Sequence, residues 1–169
     1  MPWRRALLIL AVAAVALLGG RLALGNGGEP AAPSTGRVVR VVDGDTIRVR
    51  LGGTEERVRY IGVDTPETVK PGTPVQCFGK AASAFNARLV RARTVRLVFD
   101  AERRDRYGRL LAYVYREPDG LFVNAELVRR GYAQPLTIAP NVAHADEFRR
   151  LARTARRGER GLWAACGAS

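Results

Sequence analysis

The stretch RVVRVVDGDTIRVRLGGTEERVRYIGVDTPET, from Arg37 to Thr68, decides the fold. It holds three strand-like runs: Arg37–Val42, Thr46–Leu51 and Glu56–Gly62. Asp43-Gly44 and Gly52-Gly53 separate them and read as tight turns. Outward from there, Thr65 to Phe78 is rich in Pro and Gly and reads as an ordered loop. Lys80 to Arg93 is helical, with Ala82, Phe85, Leu89 and Ala92 on one face. Thr94–Phe99 is a strand with Val95, Leu97 and Phe99 inward, and Leu110–Tyr115 is another. Asn124 to Arg130 is a short helix that Gly131 is suited to stop. Ala145 to Arg157 is the last helix, burying Phe148, Leu151, Ala152 and Ala155. Five strands of this length close into a small barrel. The expected class is therefore α+β, a five-stranded OB-type β-barrel with three packed α-helices.

The 169 residues suit one domain, and a hydrophobic content of 47% excludes a disordered chain. The formal net charge is +12, and the first 25 residues contribute only Arg4, Arg5 and Arg21, so residues 26–169 keep +9. That surplus favours a polyanionic partner, with a solvated basic surface as the bland alternative. At the N-terminus, Arg4 and Arg5 precede an apolar run from Ala6 to Leu18. Residues 1–25 read as a signal peptide cleaved near Gly25, or else as an uncleaved anchor. Either reading places the domain outside the cytoplasm, secreted or periplasmic, with membrane contact only if the segment stays. Residues 26–36 (NGGEPAAPSTG) read as a linker, and 37–169 as the domain. Cys77 and Cys166 are the only cysteines, and an oxidising compartment favours pairing them, two free thiols being the alternative. The bridge would close a loop of about 90 residues, worth up to ~4.5 kcal/mol.

The chemistry concentrates in two places. Asp45 opens one strand and Asp64 ends another of the same unit, so two carboxylates meet at one end of the barrel. A hard divalent cation takes such oxygen ligands. An EF-hand is excluded, because Ile47 and Arg48 occupy positions where a ligand and the sharp-turn glycine belong. Glu67 follows on a turn stiffened by Pro66, placed to act on a water. Arg59 lies five residues before Asp64, on the opposite face of a regular strand. A bend near Gly62 is needed to unite them. The second place is DRYGRLLAY, Asp105 to Tyr113, where Tyr107-Gly108 turns and Arg109 enters a strand as a second phosphate clamp.

DGDT, then Arg59 with DTPET, then DRYGRLLAY, in this order and spacing, resemble the staphylococcal (micrococcal) nuclease family, the thermonucleases. The similarity runs from about Arg37 to Trp163. It implies a calcium-dependent nuclease that hydrolyses phosphodiester bonds of DNA and RNA to 3′-phosphate products, as a monomer with no obligate protein partner. It implies calcium ligands at Asp45, Asp64 and the Thr65 main-chain oxygen, with Asp43 near the ion through water. Arg59 and Arg109 match the catalytic arginines, and Glu67 matches the general base or water-orienting group. Arg106 and Tyr107 match positions that contact a nucleotide phosphate. A degenerate, inactive single-strand-binding barrel is the alternative, but such copies lack carboxylates or arginines that are all present here. One departure stands out: the family's tyrosines beyond the second helix are replaced by Leu136-Thr137-Ile138-Ala139-Pro140. Base stacking, often worth ~1–3 kcal/mol per base, is lost there or supplied elsewhere. His144 and Trp163 read as structural residues, and the arginines from Arg149 to Arg160 as a solvated helix face.

Overall fold

The computed structural model describes residues 32–68, 72 and 74–167. The expected signal segment, 1–25, and the first part of the linker lie outside them. Five strands form the wall: β1 (Ser34–Val41), β2 (Thr46–Leu51), β3 (Thr54–Tyr60), β5 (Thr94–Val98) and β6 (Leu110–Arg116). They pair in the order β3-β2-β1-β5-β6, and a parallel pairing of β3 with β6 closes the barrel. Closure removes the exposed edges of an open sheet. Short strands β4 (Val63–Asp64), β7 (Leu121–Phe122) and β8 (Gln134–Pro135) add a β6–β7 hairpin and a two-stranded β4–β8 sheet. The helices are α1 (Gly79–Val90), α2 (Val123–Arg129), α3 (Ala145–Arg157) and the one-turn α4 (Leu162–Ala165). The α+β barrel read from the sequence is the observed fold, with α4 in addition.

Alternation sorts the wall into two faces. Ile47, Val49, Val58, Tyr60, Val95, Leu97 and Val114 are buried inside, while Arg48, Arg50 and Arg57 stand outside. Gly52 and Gly53 both have positive φ, the conformation that a two-residue hairpin between right-twisted strands requires. Gly131, also at positive φ, stops α2: its N–H reaches the Val128 carbonyl, and Tyr132 N–H reaches Leu127 O at 2.8 Å.

Several boundaries shift from the sequence reading, and three of the shifts bear on packing. β1 starts at Ser34 rather than Arg37, because Ser34 to Arg37 pair with Leu97 to Thr94 of β5. The run read as Glu56–Gly62 is cut at Tyr60, where Ile61 and Gly62 turn the chain and Val63–Asp64 joins β8 instead. α1 ends at Val90 rather than Arg93. Ala92 takes φ 54, and the Arg93 carbonyl accepts from Val38 N–H at 2.8 Å, which ties the helix exit to β1.

Candidate active site

The first carboxylate turn is built around a bare Cα. Gly44 lacks positive φ, but a Cβ there would lie 2.5 Å from Thr65 Oγ1. The glycine read as a turn former is thus a close-approach residue. It lets Thr65 reach Asp45, whose Oδ2 accepts from Thr65 N–H at 2.8 Å and from its hydroxyl at 2.9 Å. Asp45 is only 5% exposed and also takes the Thr46 hydroxyl on Oδ1. Asp43 Oδ1 accepts from Asp45 N–H, closing the turn. Tyr60 donates its phenol to Asn86 of α1, and Asn86 donates to the Asp43 carbonyl at 2.9 Å. This buried relay ties the turn to the helix.

The bend that the spacing required is present. Gly62 has φ 77, and a Cβ there would meet Phe148 of α3 at 2.4 Å. With the chain turned, Arg59 Nη1 donates to the carbonyls of Tyr60 and Val63. Its Nη2 donates to Asp64 at 2.8 Å, and its Nε lies 3.2 Å from Asp45. One guanidinium therefore bridges the two carboxylates. Among the described residues, no three Asp, Glu, His or Cys side chains already close into a cation cage. Burial, and then the Asp45 charge, push the Asp43 carboxyl up to about 6. Burial also raises Asp64, against the pull of Arg59, with Asp45 and Glu67 adding to the rise. Negative charge is concentrated here, and its donors are all oxygen, which is the chemistry a hard divalent cation relieves.

Glu67 stands beside this cluster on a braced loop. Gln76 clasps it from both sides: Glu67 N–H donates to Gln76 Oε1 at 2.8 Å, and Gln76 N–H donates to Glu67 O at 2.9 Å. Gly79 lets the loop lie on the start of α1, since a Cβ would meet Glu67 O at 2.8 Å. The next residue after Gln76 is Cys77, which forms a disulfide with Cys166, Cα–Cα 5.9 Å.

Arg109 is pinned by Asp105. Its Nε and Nη2 each lie 2.7 Å from Asp105 Oδ2, while Oδ1 accepts the Tyr107 and Arg109 amides. Burial alone would raise the Asp105 carboxyl. Hydrogen bonds from the Arg109 guanidinium and from the two amides outweigh it and hold the group below its ordinary value. Tyr107 is 68% exposed, its phenol oxygen accepts from Arg106 Nη2 at 2.7 Å, and its ring lies under Arg106 and Arg109. Arg59, Tyr107 and Arg109 line one cleft of about 520 Å³, which Leu136, Ile138 and Asn141 also line. Leu136 and Ile138 thus present aliphatic side chains to the cleft from the stretch that the sequence reading found without an aromatic residue. His144 pairs with Glu147 and packs edge-on against Tyr113, a structural place.

Three residues that hold the site have no role in the sequence reading: Asp105, Gln76 and Asn86. Asp105 has a local signal, a carboxylate four residues before Arg109. Gln76 and Asn86 have none, because their partners are distant in sequence.

Similarity to known proteins agrees with this geometry. The family model described as staphylococcal nuclease homologue matches residues 57–165. The thermonuclease of Staphylococcus hyicus is 42% identical over 129 residues, 76% of this chain and 75% of its own. That of Staphylococcus intermedius is 45% identical over 126 residues, 75% and 74% of the two chains. Endonuclease YncB of Bacillus subtilis (strain 168) is 43% identical over 130 residues, 76% of this chain and 61% of its own. A barrel of this topology, carrying these carboxylates and arginines and this degree of likeness, belongs to the staphylococcal nuclease family.

Proposed function

We propose that this chain is an exported, calcium-dependent nuclease that hydrolyses phosphodiester bonds of DNA and RNA and leaves 3′-phosphate ends. The observation that carries the reading is the placement of Arg59 and Arg109 on one cleft, with Asp45 and Asp64 beside Arg59. The relatives named thermonuclease and endonuclease support it. The Cys77–Cys166 disulfide supports an oxidising compartment, in keeping with residues 1–25 as an export signal.

Asp45, Asp64 and the Thr65 carbonyl would hold the cation, with Asp43 acting through water. When bound, the ion supplies positive charge to the phosphoryl oxygens. The protein's own groups do the rest. Arg59, turning from Asp45 and Asp64, and Arg109, through the part of its guanidinium that Asp105 does not hold, offer donors to the non-bridging oxygens, where negative charge grows in the transition state. Arginine suits this better than lysine, since its fork engages two oxygens at once. Glu67 takes a proton from, or orients, the attacking water. The water oxygen bonds to phosphorus, the bond to the 5′-oxygen breaks, and that oxygen leaves with a proton. Contacts to phosphate rather than to base edges explain acceptance of both nucleic acids.

The test is cleavage of single-stranded DNA and RNA by the purified protein, with calcium or with excess chelator, followed by analysis of product ends. Calcium-dependent cleavage to 3′-phosphates is expected. A folded protein that binds the polymer without cutting it would replace the catalytic reading with the binding module.

A further inference from the structure

The outer face of the barrel carries a charge arrangement that catalysis alone does not use. In the β1–β2 and β2–β3 pairings, Arg48 stands opposite both Arg40 of β1 and Arg57 of β3. Three arginines are therefore abreast on adjacent strands. In the next row Arg50 stands opposite Arg37. Arg37 and Arg40 are three residues apart, so a regular strand would put them on opposite faces. The register shifts between Val38 and Arg40, Val39 becomes the extra residue, and Arg40 returns to the outer face. All five arginines are exposed, whereas Val38, Ile47, Val49 and Val58 between them are buried.

Like charges directly opposite each other destabilise a sheet. The one acid in these rows is Glu55, opposite Arg50 and 3.0 Å from Arg48. Exposed polar side chains of any kind would serve the barrel as well, so the rows answer to something outside it. Their direction indicates what. In the row on the other side of Arg57, Thr46 pairs with Arg59, so Arg57 and Arg59 share a face two residues apart. Rows therefore step away from Arg59 at intervals of about 7 Å. No aromatic side chain stands in these rows, which favours backbone phosphates over bases as the group recognised.

We propose that the outer face of β1–β2–β3 is a phosphate track that holds a polynucleotide strand leading to Arg59, through Arg57, Arg48 and Arg40 and then Arg50 and Arg37. The proposal rests on the nuclease reading for its choice of polyanion. Such a track binds without sequence preference, and its contribution falls steeply with salt.

The test uses two charge-matched variants. One is Arg40→Gln/Arg48→Gln/Arg57→Gln. The other is Arg150→Gln/Arg153→Gln/Arg157→Gln, which removes the same charge from the exposed side of α3. Binding of a long deoxythymidylate polymer is measured across a salt series with chelator present. Cleavage of that polymer and of a dinucleoside monophosphate is measured with calcium, and thermal midpoints check folding. In the track variant the log Kd against log salt slope should become shallower by about 2, at ~0.7 for each phosphate no longer neutralised, and KM for the polymer should rise about tenfold. The dinucleoside rate should be unchanged, and the α3 variant should keep most of the slope. An unchanged slope in the track variant would overturn the proposal, and so would an equal reduction in the α3 variant, which would reduce the effect to net charge. An equal fall on the dinucleoside would point to a disturbed site, not a track. Loss of binding to phosphatidylserine vesicles with polymer binding retained would assign the face to a membrane. If the wild type cuts neither substrate, the nuclease reading fails, while the slope comparison still decides the track.

Discussion

Asp105→Asn isolates how Arg109 is held. The carboxylate does two jobs: Oδ1 accepts two backbone amides, and Oδ2 receives the guanidinium at 2.7 Å from both Nε and Nη2. Both side chains are less than a quarter exposed, at 16% and 24%. Asparagine keeps the size and one acceptor, enough for the amides, but turns an NH2 toward the guanidinium. The cost is one charge-assisted hydrogen bond, about 1.5–3 kcal/mol of stability. Kinetically, removing a transition-state donor outright costs about 10²- to 10³-fold in kcat, which sets the ceiling for Arg109→Ala. On the proposed role of Arg109, an unpinned guanidinium would still reach the phosphate part of the time, so Asp105→Asn should cost kcat about tenfold to hundredfold, below that ceiling. The assay is steady-state cleavage of a dinucleoside monophosphate by the wild type, both single variants and the double variant. If Asp105 acts through Arg109, adding Asp105→Asn to Arg109→Ala lowers kcat no further. Independent, multiplying effects would refute the reasoning.

Other outcomes follow from the same geometry. Gly44→Ala drives a methyl into Thr65 and should cost about 1–3 kcal/mol, read as a lower denaturant midpoint with the slope unchanged. Reducing Cys77–Cys166 opens a loop spanning 89 residues and should lower stability by up to ~4.5 kcal/mol. It should change the rate far less while the protein stays folded; a large fall in rate below the new thermal midpoint would contradict this. Calcium at a hundred times its Kd should stabilise the fold by about 2.7 kcal/mol, an increment that Asp64→Asn should abolish in thermal melts. Asp105 also sets a pH limb. Its folded value lies below the ordinary 3.8, so its stabilisation is complete above 3.8 and is lost as pH falls through the lower folded value. Acid unfolding of Asp105→Asn should lack that share.

The barrel was legible where the signal was local. Gly52-Gly53 and Gly131 announce their turns because only glycine adopts those backbone angles readily. Asp45, Asp64, Glu67, Arg59 and Arg109 stood out because chemistry-bearing residues cluster in two short stretches. What escaped depends on distant partners. The β4–β8 pairing joins Val63 to Pro135 and Asp64 to Gln134, two residues on each side, too few for any period to register. The extra residue Val39 is invisible until β1 is laid against β2, yet it decides which face Arg40 occupies. α1 ends where Arg91 leaves helical geometry and Ala92 takes φ 54, a reversal that no glycine or proline announces, and the Arg93 carbonyl beyond it accepts from Val38 N–H.

The central claim is that Arg59 and Glu67 act directly on a phosphodiester under calcium. Single-turnover cleavage of single-stranded DNA by the wild type, Arg59→Ala and Glu67→Gln, each with calcium and with chelator, tests it most directly. The account predicts rapid cleavage by the wild type in calcium alone, and collapse of the rate in both variants while their polymer binding persists. Variants that cut as fast as the wild type, or a wild type indifferent to chelator, would contradict it.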